Sequence, residues 1–213
     1  MAFALLLSAA AAFFTSLSPS LLRFLFGNGA VGFWILAIAE IILVVVLSSR
    51  IRTMSVGGAV AGFVAYSIID GVTLSSIFLV YQMNSITAAF FASAAMFGVM
   101  SFYGATTKRD LTTFGKYLMM AVLGVIIASL VQLVLSLITK NPFSMFDLLI
   151  SFATVVIFTG LTAYDSQKVI RTAEYARNTD DYKKVSIFAA LELYLDFINI
   201  FLSLLRIFGK RRD

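Results

Sequence analysis

The stretch that decides the fold is Leu191–Gly209, LELYLDFINIFLSLLRIFG, close to the end of the chain. It is apolar enough for a membrane-spanning helix, which needs about 20 such residues. It nevertheless carries polar residues spaced four, three and four apart, which share one helical face: Glu192, Asp196, Asn199 and Ser203. Because that face needs protein or water beside it, we expect a central helix surrounded by other helices.

The composition of the whole chain is that of an α-helical membrane protein. Its 213 residues are 61% hydrophobic and 13% charged, whereas soluble domains are about half apolar and about a quarter charged. The alternating segments of an outer-membrane barrel are absent. The basic residues lie in short loops between apolar runs, so the net charge of +5 indicates membrane orientation and not nucleic-acid binding.

Seven apolar segments are candidates for membrane-spanning helices. We predict one all-α domain with helices at residues 2–17, 30–49, 56–81, 85–106, 114–138, 145–168 and 185–208. The first lacks the basic n-region of a signal peptide, so we expect a true first helix. The polar link 169–184 is too charged to insert, and we expect it to be partly helical. Gly58 and Gly62 predict close helix packing by the third segment.

Basic loop residues predict the orientation, because cytoplasmic loops carry an excess of lysine and arginine. On one side lie Arg50, Arg52, Lys108, Arg109, Lys116, Lys168, Arg171, Arg177, Lys183 and Lys184. Only Arg23 and Lys140 lie in the loops of the other side. We therefore expect a cytoplasmic N-terminus. If the seventh segment crosses, the basic tail Lys210–Arg212 lies outside, against this rule. Either the first six segments outweigh the rule or the seventh segment is re-entrant; because it is long enough to span, we favour seven crossings.

Five acids lie inside the apolar segments, where insertion scales assign each a cost of about 2.5–3.5 kcal/mol at a helix centre. They are Glu40, Asp70, Asp165, Glu192 and Asp196. Intramembrane acids generally face a protein interior or water and mark a pathway, although some sit near headgroups or bond a neighbouring helix. The set therefore supplies the candidate functional residues.

Missing residue types exclude several functions. Cysteine and histidine are absent, which excludes disulfides, thiol nucleophiles and imidazole as a metal ligand or pH sensor. All lysines lie in loops or the tail, which excludes a retinal Schiff base. The chain has no Walker loop, H-E-x-x-H or G-x-S-x-G, so we expect neither an enzyme nor a bound cofactor.

Three stretches carry a resemblance to a known family: Ala190–Gly209 (ALELYLDFINIFLSLLRIFG), Gly71–Tyr81 (GVTLSSIFLVY) and Thr162–Val169 (TAYDSQKV). They are similar to sequences of the Bax inhibitor family, the transmembrane Bax inhibitor motif proteins, in its bacterial branch. The resemblance implies six helices around a central seventh, and a pH-sensitive calcium leak. It also implies an integral multi-pass protein of the bacterial inner membrane.

The resemblance further implies roles for particular residues. Asp165 and Asp196 fall on the two aspartates of the family's hydrogen-bonded acidic pair, which makes them the pH sensor and a transient Ca²⁺ site. Glu40, in the second predicted segment, matches an acid on the second membrane helix of the family. The arginine that latches the pore aligns with Ile51, so we assign that role to its neighbour Arg50. Other candidates for the latch or the pathway are Asp70 and Glu192.

Elementary electrostatics agrees with this mechanism. Two carboxylates close together in a low-dielectric setting share one proton and titrate as a pair. A protonated pair holds the sixth and seventh predicted segments together. Repulsion in the deprotonated pair loosens that contact and leaves anionic oxygens, the type of ligand that Ca²⁺ prefers. Because few such oxygens are available, we expect a weak site through which Ca²⁺ passes and not a tight storage site. An inside-negative membrane potential drives the cation inward. Calcium, protons and the bilayer are the expected partners.

Two other functions remain open. An intramembrane aspartyl protease also uses two membrane aspartates, but it needs one in a G-x-G-D context, which LYLDF around Asp196 lacks. A non-transporting regulator that binds other membrane proteins, such as a protease or cell-death machinery, is implied by the resemblance alone. Its binding would persist without the aspartate pair, whereas the leak would not.

Overall fold

The computed structural model describes residues 1–27, 31–51, 53–139, 144–175 and 180–212, and they are largely α-helical. The helices are α1 (Ala2–Ser16), α2 (Pro19–Phe26), α3 (Val31–Arg50), α4 (Val56–Leu74), α5 (Ile77–Val80), α6 (Met83–Thr106), α7 (Thr112–Thr139), α8 (Ser144–Tyr175) and α9 (Asp180–Phe208). Arg52, Lys140 and Arg177 of the orientation argument lie outside the described residues.

The length and composition of the helices confirm an integral multi-pass membrane protein. Within the described residues, six helical spans are long and apolar enough to cross a membrane, and the bent pair of α1 and α2 raises the number to seven when both halves count as one span. The axes of that pair differ by 97°. Pro19, at the start of α2, has no amide hydrogen and cannot continue α1, so the chain turns there.

The third predicted segment differs from the structure, whereas the polar link 169–184 agrees with the prediction. The segment 56–81 is not one regular helix, because α4 ends at Leu74 and the short α5 follows. The link 169–184 is partly helical, as expected, since α8 continues to Tyr175 and α9 begins at Asp180. The charged residues in its described parts therefore extend two membrane helices at their polar ends.

The chain divides into two compact units, which are described separately. Unit 1 comprises Met1–Tyr81, Thr172–Tyr194 and Arg211–Asp213, and unit 2 comprises Gln82–Arg171 and Leu195–Lys210. Helix α9 therefore begins in unit 1 and ends in unit 2.

In unit 1, α4 packs closely against α1 at Gly71. A Cβ atom added there would lie 2.7 Å from Cα of Ser8, so only glycine permits this approach. The predicted packing role of Gly58 and Gly62 is confirmed for Gly62 alone, where an added Cβ would lie 2.7 Å from the side chain of Leu47 on α3. Gly58 instead donates its amide to the Ser55 hydroxyl, which caps α4.

In unit 2, α8 packs against α6 and α7. A Cβ added at Gly104 of α6 would lie 2.8 Å from Cα of Ala163. The contact with α7 centres on a buried cluster of Leu118, Ile157 and Leu161. Helix α6 also contacts α9 through an edge-to-face aromatic pair, because the ring centroids of Phe90 and Phe197 lie 5.6 Å apart.

Hydrogen bonds define the two ends of unit 2. At one end, Gln167 of α8 binds the backbone of the loop between α6 and α7. At the other, where α6 begins, the Lys210 amide donates to Ser85 Oγ at 3.0 Å and the Gln82 amide donates to the Lys210 carbonyl at 3.0 Å. Because α6 has 24 residues and rises about 1.5 Å per residue, it separates these ends by the thickness of a bilayer. The tail after α9 thus lies at the end opposite Gln167.

Candidate functional site

Buried polar side chains of α1, α4 and α9 form one hydrogen-bonded cluster in unit 1. The Tyr194 hydroxyl donates to Oδ2 of Asp70 and lies 2.7 Å from the Ser8 hydroxyl. Ser8 Oγ also lies 2.7 Å from the carbonyl oxygen of Ser67. All four residues are at most 6% exposed. A buried carboxyl needs such partners, because an unsatisfied one is costly in an apolar setting.

Aromatic packing holds Tyr194 in place. The edges of Phe63 and Tyr66 meet its ring, with centroid separations of 5.8 and 5.9 Å. Both partners lie on α4, the helix that carries Asp70. The ring is therefore fixed by the same helix that supplies its hydrogen-bond acceptor.

Glu40 of α3 reaches the same helix. The Thr73 hydroxyl donates to Oε1 of Glu40 at 2.5 Å. Thr73 lies three residues after Asp70, so both side chains project from neighbouring positions on one face of α4. The structure thus brings two of the predicted acids, Glu40 and Asp70, to the same side of one helix, and gives each a hydroxyl donor.

Asp165 and Asp196 are both buried in unit 2. Asp165 lies on α8 and is 7% exposed, and Asp196 lies on α9 and is 3% exposed. Around Asp165, α8 also buries Thr162, Ser166 and Gln167, and Ser166 Oγ donates to Ser101 Oγ of α6 at 2.9 Å. Direct contact between the two carboxylates, their role as a pH sensor and their binding of Ca²⁺ remain predictions.

The polar face predicted for α9 is only partly distinct from the rest of the helix. Asp196 and Ser203 are buried, whereas Glu192 and Asn199 are half-buried. The apolar residues Ile198 and Phe201 on other faces are buried as well. This segment of α9 is therefore enclosed on several sides, and the arrangement of six helices around it remains a prediction.

Arg50 and Glu192 have less defined surroundings. Arg50 is exposed in the last turn of α3, where a cation interacts favourably with the helix dipole. Its neighbour Ile51, at the position aligned with the latch arginine, is buried. Glu192 is half-buried in the unit 1 portion of α9. Their roles in a latch or a pathway remain predictions.

Gln167 is a structural residue that the sequence analysis missed. Its Oε1 accepts from the Leu111 amide at 2.9 Å, and its Nε2 donates to the Arg109 carbonyl at 2.8 Å. This side chain, two residues after Asp165, fixes the loop between α6 and α7 to α8. The stretch TAYDSQKV includes Gln167, but its partners lie more than fifty residues away and have no local signal.

One ion pair lies beside this loop. Arg171 Nη1 donates to Oδ1 of Asp110 at 2.9 Å, and both side chains are exposed. The Thr112 hydroxyl and amide, followed by the Arg171 guanidinium, lower the pKa of Asp110 to about 2. The loop is thus attached to α8 through both a buried amide and an exposed ion pair.

Comparison with known proteins gives a match over the full chain. The model of the family described as "Inhibitor of apoptosis-promoting Bax1" matches residues 1–213. The Escherichia coli K12 inner membrane protein YbhL is 46% identical over 216 residues, covering 100% of this chain and 88% of the relative. An uncharacterized protein of Borreliella burgdorferi is 41% identical over 214 residues, covering 100% of the chain and 89% of the relative. An uncharacterized membrane protein of Streptococcus pyogenes serotype M1 is 41% identical over 174 residues, covering 82% and 72%.

Proposed function

Because the chain belongs to the Bax inhibitor-1 family, we propose that it is a calcium leak gated by protonation of Asp165 and Asp196. The observation that carries this proposal is the burial of both acids within unit 2, on neighbouring membrane helices in the chain. Buried intramembrane acids are costly and typically serve an ion or proton pathway. The protein is then a transporter of Ca²⁺, with neither catalytic activity nor a resident cofactor.

The proposed gate works through the charge of the pair. When one proton is shared, the carboxyls attract each other and hold α8 against α9. When the proton leaves, repulsion between the carboxylates loosens the helices and leaves oxygen ligands for a passing Ca²⁺. Gln167 fixes the α6–α7 loop close to Asp165 along α8, so that end of α8 stays anchored while the contact with α9 changes.

We also propose a location and an orientation. The relative YbhL is named an inner membrane protein, and we place this chain in the same kind of membrane. The basic residues near the α6–α7 loop and the end of α8 favour the cytoplasmic side for that end. The N-terminus then lies in the cytoplasm as well.

The leak is tested with purified protein in liposomes that contain a Ca²⁺-sensitive dye. Wild-type flux is expected to change with pH, whereas Asp165→Asn and Asp196→Asn abolish this dependence because an amide cannot titrate. Asp147→Asn is the matched control, since Asp147 lies on α8 but is exposed. Unchanged flux and pH dependence in both variants of the pair would contradict the proposal.

A second candidate is a regulator that binds other membrane proteins. The family description favours it, since it names inhibition of another protein. Affinity purification of the protein with Asp165 and Asp196 both replaced by Asn separates the two functions. Two results together would favour the regulator over the leak: this variant retains a partner, and liposomes that contain the wild-type protein do not pass Ca²⁺.

A further inference from the structure

Unit 2 contains an open cleft between α7, α8 and α9. Its volume is 540 Å³, within the range of about 300–1,000 Å³ typical of small-molecule sites. Helices α7 and α8 meet at the cluster of Leu118, Ile157 and Leu161. The cleft begins beyond this contact, toward the end of unit 2 where α9 terminates.

The cleft lies at bilayer depth and its walls are mainly apolar. On α7 it is lined by Ile126, Leu130 and Leu133, which are exposed although they belong to a membrane span. Other apolar residues of the lining are Val122, Val125, Ile150, Phe158 and Leu202, and the polar residues Thr154, Asn199 and Ser203 also line the cleft. A cleft with exposed apolar walls in a membrane is accessible to acyl chains.

The positively charged side chain of Arg206 lies at one end of this apolar cleft. Arg206 lines it from the last turn of α9 and is exposed. It lies one turn before Lys210, whose amide binds Ser85 at the end of unit 2 opposite Gln167. Arginine at the end of a membrane helix reaches the headgroup level. The Asp147 carboxylate accepts a hydrogen bond from Gln132 Nε2 and does not line the cleft.

We propose that this cleft binds an anionic phospholipid, with one acyl chain along α7 and the phosphate on Arg206. Guanidinium and phosphate form charge-assisted, often bidentate hydrogen bonds. The apolar walls of the cleft contact the acyl chain in place of neighbouring lipids. The positive group at the opening opposes passage of a divalent cation, which distinguishes the cleft from the proposed calcium path. The site therefore selects lipids by headgroup charge.

Native mass spectrometry of the detergent-purified protein, with phosphatidylglycerol or phosphatidylethanolamine added, tests this site. Wild type is expected to retain phosphatidylglycerol about tenfold more tightly, because phosphatidylethanolamine has the same phosphate but also carries an ammonium group that the Arg206 guanidinium repels. Arg206→Gln abolishes the preference. Arg23→Gln, which removes another exposed arginine from unit 1, retains it.

A second pair of variants tests the acyl-chain part of the cleft. Ser129 lines the cleft and is exposed, so Ser129→Trp fills it and reduces retention of phosphatidylglycerol. Leu123→Trp places the same ring on α7 outside the lining and has no such effect. Equal retention of both lipids by wild type and Arg206→Gln would overturn the proposal. A dimer that Ser129→Trp dissociates would also overturn it, because the occupant would then be a second copy.

Discussion

At the residue scale, Tyr194 joins three helices of unit 1 through one hydroxyl group. It donates to Asp70 of α4 and lies within hydrogen-bond distance of Ser8 on α1. Its ring is fully buried against Phe63 and Tyr66. A membrane acid that looks like a pathway residue by sequence is thus also part of a packed structural cluster.

Tyr194→Phe is expected to destabilise the protein by about 1–3 kcal/mol, because it leaves the buried Asp70 carboxyl without its hydroxyl donor. Chemical denaturation in mild detergent measures the loss. Tyr117→Phe is the control, since Tyr117 on α7 is 64% exposed. Equal stability of the two variants would show that the hydroxyl contributes nothing to the cluster.

Asp110 gives a pH-dependent prediction outside the membrane. Its bonds to Thr112 and Arg171 lower its pKa from 3.8 to about 2. A lowered folded-state pKa stabilises the fold above the unfolded value, and this stabilisation is lost as pH falls through the folded value. The stability difference between wild type and Asp110→Asn should therefore shrink between about pH 4 and about pH 2.

Thermal unfolding in an acid-stable detergent measures this difference, with Asp147→Asn as the comparison because that acid is also exposed. A difference that grows on acidification would contradict the assigned direction of the pKa shift.

At the element scale, glycines determine how closely helices approach, and Gly71 and Gly104 are two cases in which the partner is backbone. Gly71 brings α4 against Ser8 of α1, and Gly104 brings α6 against Ala163 of α8. In each case the nearest atoms belong to the backbone of the partner helix, which cannot rotate away as a side chain can. Polar contacts lie between the same helix pairs, from Ser8 to the Ser67 carbonyl and from Ser166 to Ser101.

Gly104→Leu is expected to destabilise unit 2 by at least about 1–3 kcal/mol, because overpacking forces the backbones apart. Gly98→Leu lies on the same helix, where an added Cβ meets nothing within 4 Å. That control gains the better helix propensity of leucine and should be at least as stable as wild type. The amount of folded protein on size-exclusion chromatography and its melting temperature compare the two. Similar behaviour of both variants would argue against close α6–α8 packing.

At the scale of the whole molecule, the position of the tail bears on the number of crossings. The Arg212 amide donates to the Val80 carbonyl at 2.9 Å in unit 1, and Lys210 binds Ser85 in unit 2. Within unit 2, the Lys210 contact lies where α6 begins, at the end opposite Gln167. This is the arrangement expected if α9 crosses the membrane, even though the basic tail then opposes the charge rule.

The absence of cysteine makes this topology directly testable. Arg109→Cys and Lys210→Cys place single thiols at exposed positions on opposite ends of unit 2. A membrane-impermeant maleimide should label Lys210→Cys in intact spheroplasts, but Arg109→Cys only after lysis. The cysteine-free wild type measures background labelling. Labelling of both variants from the same side would contradict a crossing between these positions.

The class of protein, most of its helices and the acids that needed an explanation were predictable from the amino-acid sequence. Hydropathy over about 20 residues is a local property, so the spans from α3 to α9 were predictable. The same local reasoning missed α2, which has eight residues, and the break after Leu74, because a hydropathy window of about 20 residues averages over such short features. The family was already recognisable from three stretches, the longest of which is in α9.

The partners of these residues became known from the three-dimensional structure alone. The bond between Tyr194 and Asp70 joins positions 124 residues apart, and Gln167 binds a loop more than fifty residues before it. Close approaches occur at Gly62, Gly71 and Gly104, and not at Gly58. A sequence specifies which face of a helix is polar, but the rotation and separation of packed helices depend on many side chains together. Those two quantities determine which polar groups come within hydrogen-bond distance.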